Sequence, residues 1–169
     1  MDAIIFCSQT GHTARYAKLL AEASGLRAFS LSEARAAVKP GSSVLFLGWI
    51  LAGSIRGYEK AAQRWQIAAV AAVGMAGPEV DQRGSLQQHH KLPSDLPLFY
   101  LRGGYAPSAL RGLSRLMMRV MARSEIKQLE ALASRTPEED VTLQMWRSGA
   151  DFVSEANLRE LLQWLHAGA

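Results

Sequence analysis

The chain's 169 residues, 49% hydrophobic and 20% charged, suit one globular domain with a sizeable core and leave little room for two. The longest apolar run, Ile67 to Ala76, is ten residues, about half of what crosses a bilayer; with no basic lead or apolar leader at the N-terminus, a cytoplasmic protein is expected. A lone cysteine, Cys7, excludes an internal disulfide and a cysteine-clustered metal centre, no metal site is read elsewhere, and redox chemistry would need a bound cofactor. Net charge is +4, but residues 102–127 hold six basic side chains and one acid, a local +5 against −1 for everything else. The basicity belongs to one segment.

The elements follow in order. Asp2 to Cys7 reads as a buried strand, apolar on both faces as in a helix-covered parallel sheet. The turn Ser8-Gln9-Thr10-Gly11-His12-Thr13 leads into a helix over His12 to Ser24, closed by Gly25. Leu26 to Leu31 reads as a second strand, Ser32 to Val38 as a short serine-capped helix, and Ser43 to Ile50 as the third strand. Tyr58, Ala61, Ala62 and Trp65 mark a further helix, and Ile67 to Gly74 a fourth strand. Glu79 to Lys91 is expected to be helical in part, interrupted at Gly84, ending in a solvated His89-His90 pair. Leu98 to Leu101 forms the fifth strand. Strands alternating with helices through the first hundred residues predict an α/β parallel sheet with helices on both faces.

The remaining third is expected to hold helices and no strand. One runs from Ser108 to about Leu132 with a possible break near Ser124. Another opens at Thr136-Pro137-Glu138-Glu139, a capping box with proline at the first helical position. The last starts near Ser154 and lines up Leu158, Leu161, Leu162 and Leu165. The acids at 138–140 fit a helix first turn and imply no catalytic carboxylate pair. The whole reads as a single domain over 1–169 with 106–135 as an inserted basic helical segment.

A turn that feeds a helix directly from a buried strand presents unpaired N–H groups and a positive dipole end to an anion. Ser8, Thr10 and Thr13 add hydroxyl donors, Gly11 allows close backbone approach, and no lysine or arginine lies within the loop. That suits a phosphomonoester held in place better than a nucleotide awaiting transfer. The G-x-x-x-x-G-K-[ST] and G-x-G-x-x-G patterns are absent. A thiol-phosphatase pattern fails too, because the residue six beyond Cys7 is Thr13 where arginine is needed, and Cys7 reads as a buried strand residue.

Ser8, Thr10, Gly11 and Thr13 match all four defining positions of the [ST]-x-T-G-x-T phosphate loop of flavodoxins, and the chain resembles that family through its first hundred residues. The resemblance implies a flavodoxin-like three-layer sandwich with a five-stranded parallel sheet in the order 2-1-3-4-5, and FMN at the C-terminal ends of the strands. The phosphate would lie on Ser8, Gln9, Thr10, Gly11, His12 and Thr13, and the ring between the loops Trp49-Ile50-Leu51-Ala52-Gly53 and Arg102-Gly103-Gly104-Tyr105. Trp49 and Tyr105 offer flat faces, Gly53 a carbonyl that can turn toward the ring, and the glycine pair close approach. Trp49 as a core residue is the competing reading. His12 occupies a variable position, from which only its backbone N–H is expected to contribute.

Ordinary flavodoxins are acidic, and this chain is not. Arg111, Arg115, Arg119 and Arg123 recur at spacing four, opposite an arc of Leu110, Leu113, Leu116, Met117, Val120 and Met121, a basic amphipathic helix suited to an anionic partner or a membrane surface, or to packing by its apolar arc. With Phe99 to Tyr105, this segment is similar to a flavodoxin-like subgroup that includes menaquinone-dependent protoporphyrinogen dehydrogenases, although no catalytic residue is matched by motif. The expected function is an FMN-binding electron-transfer flavoprotein. The alternatives are a quinone-coupled FMN-dependent dehydrogenase at the membrane surface and a flavin-free interaction module of the same fold. A redox protein or quinone is the expected partner, with peripheral contact at the inner membrane face through the four arginines; no recognised motif supports nucleic acid.

Overall fold

The computed structural model describes residues 1–77, 80, 82–90 and 92–168. Its main sheet contains β1 (Ala3–Cys7), β2 (Ala28–Ser30), β3 (Ser43–Leu51), β4 (Ser54–Ile55), β5 (Gln66–Gly74) and β6 (Leu98–Arg102). Five of them lie in the order β2-β1-β3-β5-β6, every pair parallel. The sheet therefore has six strands, not the expected five: β4 folds back antiparallel on β3 through a two-residue turn. Ala52 and Gly53 both have positive φ there, 49° and 74°, the twist that joins antiparallel strands tightly.

Alternation along the strands divides the core between the two faces. Ala3, Ile5, Val44, Phe46, Val70 and Ala72 face one way, under α2 (Leu31–Ala37), α3 (Tyr58–Ala62) and α4 (Gln82–His90), which contribute Ala34, Ala61 and Leu86. Ile4, Leu45, Leu47, Ala69, Ala71, Val73, Phe99 and Leu101 face the other, under α1 (His12–Ser24) and the C-terminal α7 (Arg159–His166), through Tyr16, Leu20 and Leu161. Ile67 and Ala69 contribute to opposite faces because the β3–β5 register skips Ala68. The protein is thus an α/β structure with a mostly parallel sheet and helices on both faces.

Local signals explain most boundaries. Gly25, at φ 73°, caps α1 as expected. The second strand is shorter than Leu26 to Leu31, because Ser30 and not Ser32 caps α2: its hydroxyl accepts the Glu33 N–H while Glu33 accepts the Ser30 N–H at 2.9 Å. Helix α4 continues through Gly84 without interruption, since burial of Leu86 outweighs the ~1 kcal/mol that glycine costs a helix; Glu79 and Lys91, the expected ends of that segment, lie outside the described residues.

Beyond β6 the chain forms α5 (Gly112–Glu130), unbroken at Ser124, and α6 (Pro137–Ser148), opened by the expected capping box on Thr136. The expectation of no strand here is corrected: β7 (Gly104–Tyr105) pairs antiparallel with β8 (Ala150–Asp151). A 3₁₀ turn at Glu155–Leu158 then leads into α7. Tyr105, Leu110, Met118, Ala122, Met145 and Trp146 form a separate small core off the sheet's C-terminal edge.

Candidate functional site

The strand order reverses at β1 and β3, since β2 lies on one side of β1 and every later parallel strand on the other. A crevice outside the carboxyl ends of such a pair is the usual ligand position in an open α/β sheet, and the loop Ser8 to Gly11 stands there. It enters α1 directly. Gly11 is the N-cap at φ 99°, and its N–H donates to Ser8 Oγ at 3.3 Å, so the turn is held by its own side chain. A Cβ at Gly11 would meet nothing within 4 Å; the position demands glycine for its backbone, which is open to an approaching group. Thr10 Oγ1 lies 3.1 Å from His12 Nδ1, and Thr13 is buried. Burial, reinforced by Arg15 and opposed by Asp151, holds the His12 imidazole below its ordinary pKa.

Around this loop the structure gathers both expected ring-binding segments. A narrow slot of about 50 Å³ is lined by Thr10, His12, Thr13, Trp49, Ile50 and Tyr105, among others. On one side, a cavity of about 590 Å³ runs between Thr10, His12, Arg15, Tyr105 and Asp151. On the other, one of about 530 Å³ shares Ile50, Gly74, Met75 and Met118 with the slot and adds Leu51, Ala52, Gly53, Met145 and Trp146. Volumes of this size suit a small molecule or cofactor. Trp49 is half-buried, while Tyr105 is buried against Trp146 at a ring separation of 5.2 Å.

Of the other expected contacts, Ile50 and Gly104 also line the slot. Gln9 is exposed. The Arg102 guanidinium sits 3.9 Å over the Phe152 ring and pairs with Glu138, committing it to α6. The glycine pair has packing reasons: a Cβ on Gly103 would come 2.7 Å from Val73 and 3.4 Å from His12, and one on Gly104 only 2.2 Å from the Ala150 carbonyl oxygen. Cys7 ends β1 half-buried where a buried residue was expected, and that burial pushes its thiol pKa up, against the charge of Arg56. The His89-His90 pair is more than a solvated helix end, since His90 Nε2 accepts the Ile55 N–H at 2.6 Å and pins β4 to α4.

Several contributors escaped the sequence reading. Arg15 and Asp151, 136 residues apart, form an ion pair at the rim. Met75 and Met118 wall the slot. Tyr16, fully buried, donates from its hydroxyl to the Arg102 carbonyl at 2.5 Å. Asn157 Nδ2 shares its two hydrogens among three acceptors, the Tyr16 hydroxyl at 2.6 Å, Phe152 O at 2.8 Å and Arg102 O at 3.3 Å. This node ties α1 to the segment that carries Tyr105. Tyr16 was visible only as a residue on the apolar face of α1, and nothing local marked Asn157.

Compared with models of protein families, with curated proteins and with solved structures, the chain matches none. Among the described residues, no helix is long and apolar enough to cross a membrane.

Proposed function

We propose that the protein is a flavodoxin-like, FMN-binding electron-transfer protein. The observation that carries this reading is the position of Ser8, Thr10, Gly11 and Thr13: a hydroxyl-rich turn at a helix N-terminus, at the strand-order reversal, beside a slot walled by Trp49 and Tyr105. A phosphate dianion there would be met by backbone N–H groups, hydroxyls and the dipole of the 13-residue α1. Arg15, the nearest cation in the sequence, is already balanced by Asp151. The side chains present fit a terminal phosphomonoester joined to a planar ring: small donors at the loop, aromatic and thioether surfaces beyond it. The bound flavin would supply the electron chemistry; the chain's own part is to bind the phosphate, orient the ring and shield one edge from water.

The wide cavity lined by Met75, Met118, Met121, Met145 and Trp146 favours a second reading, an FMN-dependent dehydrogenase delivering electrons to a quinone-like acceptor. Sulfur and indole surfaces suit a flat apolar ligand. A redox protein is the alternative acceptor, met in the cytoplasm or at the inner membrane face.

Thr10→Val removes a hydroxyl donor to a charged phosphate, a loss of about 1.5–3 kcal/mol, or roughly 10- to 150-fold in Kd. The double variant Thr10→Val with Gly11→Asp should abolish FMN binding while the far-ultraviolet dichroism stays native. FMN affinity unchanged in a folded double variant would rule the assignment out, and a protein that never binds flavin would leave only the interaction-module reading.

A further inference from the structure

The outward face of α5 is apolar. Leu113, Leu116 and Val120 are 72%, 59% and 61% exposed, and Met117 and Met121 are exposed beside them. At about 100° per residue these five fall within roughly 140° of arc. Of the alternatives for this arc, packing on the domain is not what the structure has: α5 is seated through Met118, Ala122 and Leu129 on the small core with Met145 and Trp146. Leu110, the one buried member of the expected arc, precedes the helix. A contiguous apolar strip on the outside of a protein marks a contact surface.

The strip has a charged border. Arg115, Arg119 and Arg123 stand one turn apart along it, Arg111 caps its start and Lys127 follows; all five are exposed. Among the described residues none of them forms an ion pair, although neighbouring Arg147 and Arg135 are paired with Glu130 and Asp140. Arg115, Arg119 and Arg123 also line a groove of about 340 Å³ between α5 and α6, together with Tyr105 and Trp146. The surface thus asks for a partner that is both apolar and anionic. A second copy of the chain fails this requirement, since a twofold contact on this face would set five cations against five. An anionic lipid bilayer meets it, offering phosphates at the height of the arginines and acyl chains beneath them.

We propose that α5 docks the protein on anionic phospholipid bilayers, with Leu113, Leu116 and Val120 entering the acyl boundary and Arg111, Arg115, Arg119, Arg123 and Lys127 binding headgroup phosphates. The surface is independent of the flavin reading, because none of these side chains lines the phosphate loop or the slot. Leu110 and Met118 do line the slot, so docking sets it close to the lipid surface.

The test is co-sedimentation of the full chain with vesicles of phosphatidylcholine alone or of phosphatidylcholine mixed with anionic phosphatidylglycerol, whose negative surface potential attracts basic side chains. Binding to the anionic vesicles should be at least about tenfold tighter. Replacing Arg115, Arg119 and Arg123 together by Gln should weaken it by about tenfold or more. Replacing Leu113, Leu116 and Val120 by Ser should weaken it similarly with an unchanged melting temperature; should that triple variant fail to fold, Val120→Gln alone should weaken it measurably. Equal binding to both vesicles, no binding to either, or apolar variants that bind like the parent would each overturn the proposal. So would a concentration-dependent dimer, seen by sedimentation velocity without vesicle binding, that the apolar variant dissociates.

Discussion

The node built on Tyr16 and Asn157 makes a quantitative statement about how the C-terminal segment is held. Tyr16→Phe deletes one oxygen from a fully buried ring, and with it the bond given to Arg102 O and the one received from Asn157. Arg102 O keeps its longer bond from Asn157, and Asn157 keeps Phe152 O, so no partner is stranded. Two hydrogen bonds at about 0.5–1.5 kcal/mol each give an expected loss of about 1–3 kcal/mol. For a chain of this length that is a fall in Tm of roughly 2–4 °C per kcal/mol. Asn157→Ala should cost about the same. The double variant should cost less than the sum by roughly 1 kcal/mol, because both single changes delete the same Asn157–Tyr16 bond. Urea unfolding with unchanged slope measures all three. A neutral Tyr16→Phe, or strict additivity of the two changes, would refute the linkage.

Other outcomes follow from single contacts. Ala52→Asn should stabilise the protein by about 0.5–1 kcal/mol in urea unfolding, because asparagine tolerates the left-handed first position of the β3–β4 turn that alanine resists. Gly104→Ala should cost more than about 2 kcal/mol and disturb the β7–β8 pairing, since the new methyl would collide with the Ala150 carbonyl; a neutral result in the same assay would contradict that packing. His12 and His90 are both held below the ordinary histidine pKa by burial. Their contribution is complete above the unfolded value near 6.5 and is lost as pH falls from there toward the lower folded values. Urea midpoints between pH 8 and 5 should therefore drop on the acid side, and His90→Gln, which keeps an acceptor for the Ile55 N–H, should flatten part of that slope.

Much of the sheet was legible because its information is local. Ala3 to Phe6 and Val44 to Leu47 are apolar at every position, as strands covered on both faces must be, and Gly25 and Thr136 mark helix ends by their own chemistry. Elements decided by distant partners were not. Strands β7 and β8 are two residues each and exist only because Gly104 and Ala150 approach. β4 depends on a turn opened by alanine, a residue that gives no turn signal. Helical arithmetic sorted the arginines of α5 from its leucines, yet could not tell which arc would be inside, because the packing is made by Met118 and Ala122 in a third arc between them. At the site, the hydroxyl loop was legible as a contiguous motif. Arg15 with Asp151, and Tyr16 with Asn157, were not, since each pair joins positions more than 130 residues apart.

The phosphate loop is most directly tested by titrating the protein with FMN and with riboflavin, which differ by the phosphate alone, and following quenching of flavin fluorescence. A loop that holds the monoester through charge-assisted hydrogen bonds, at about 1.5–3 kcal/mol each, should give saturable FMN binding at least about tenfold tighter than that of riboflavin. Equal affinities for the two, or no binding of FMN at a large excess, would contradict it.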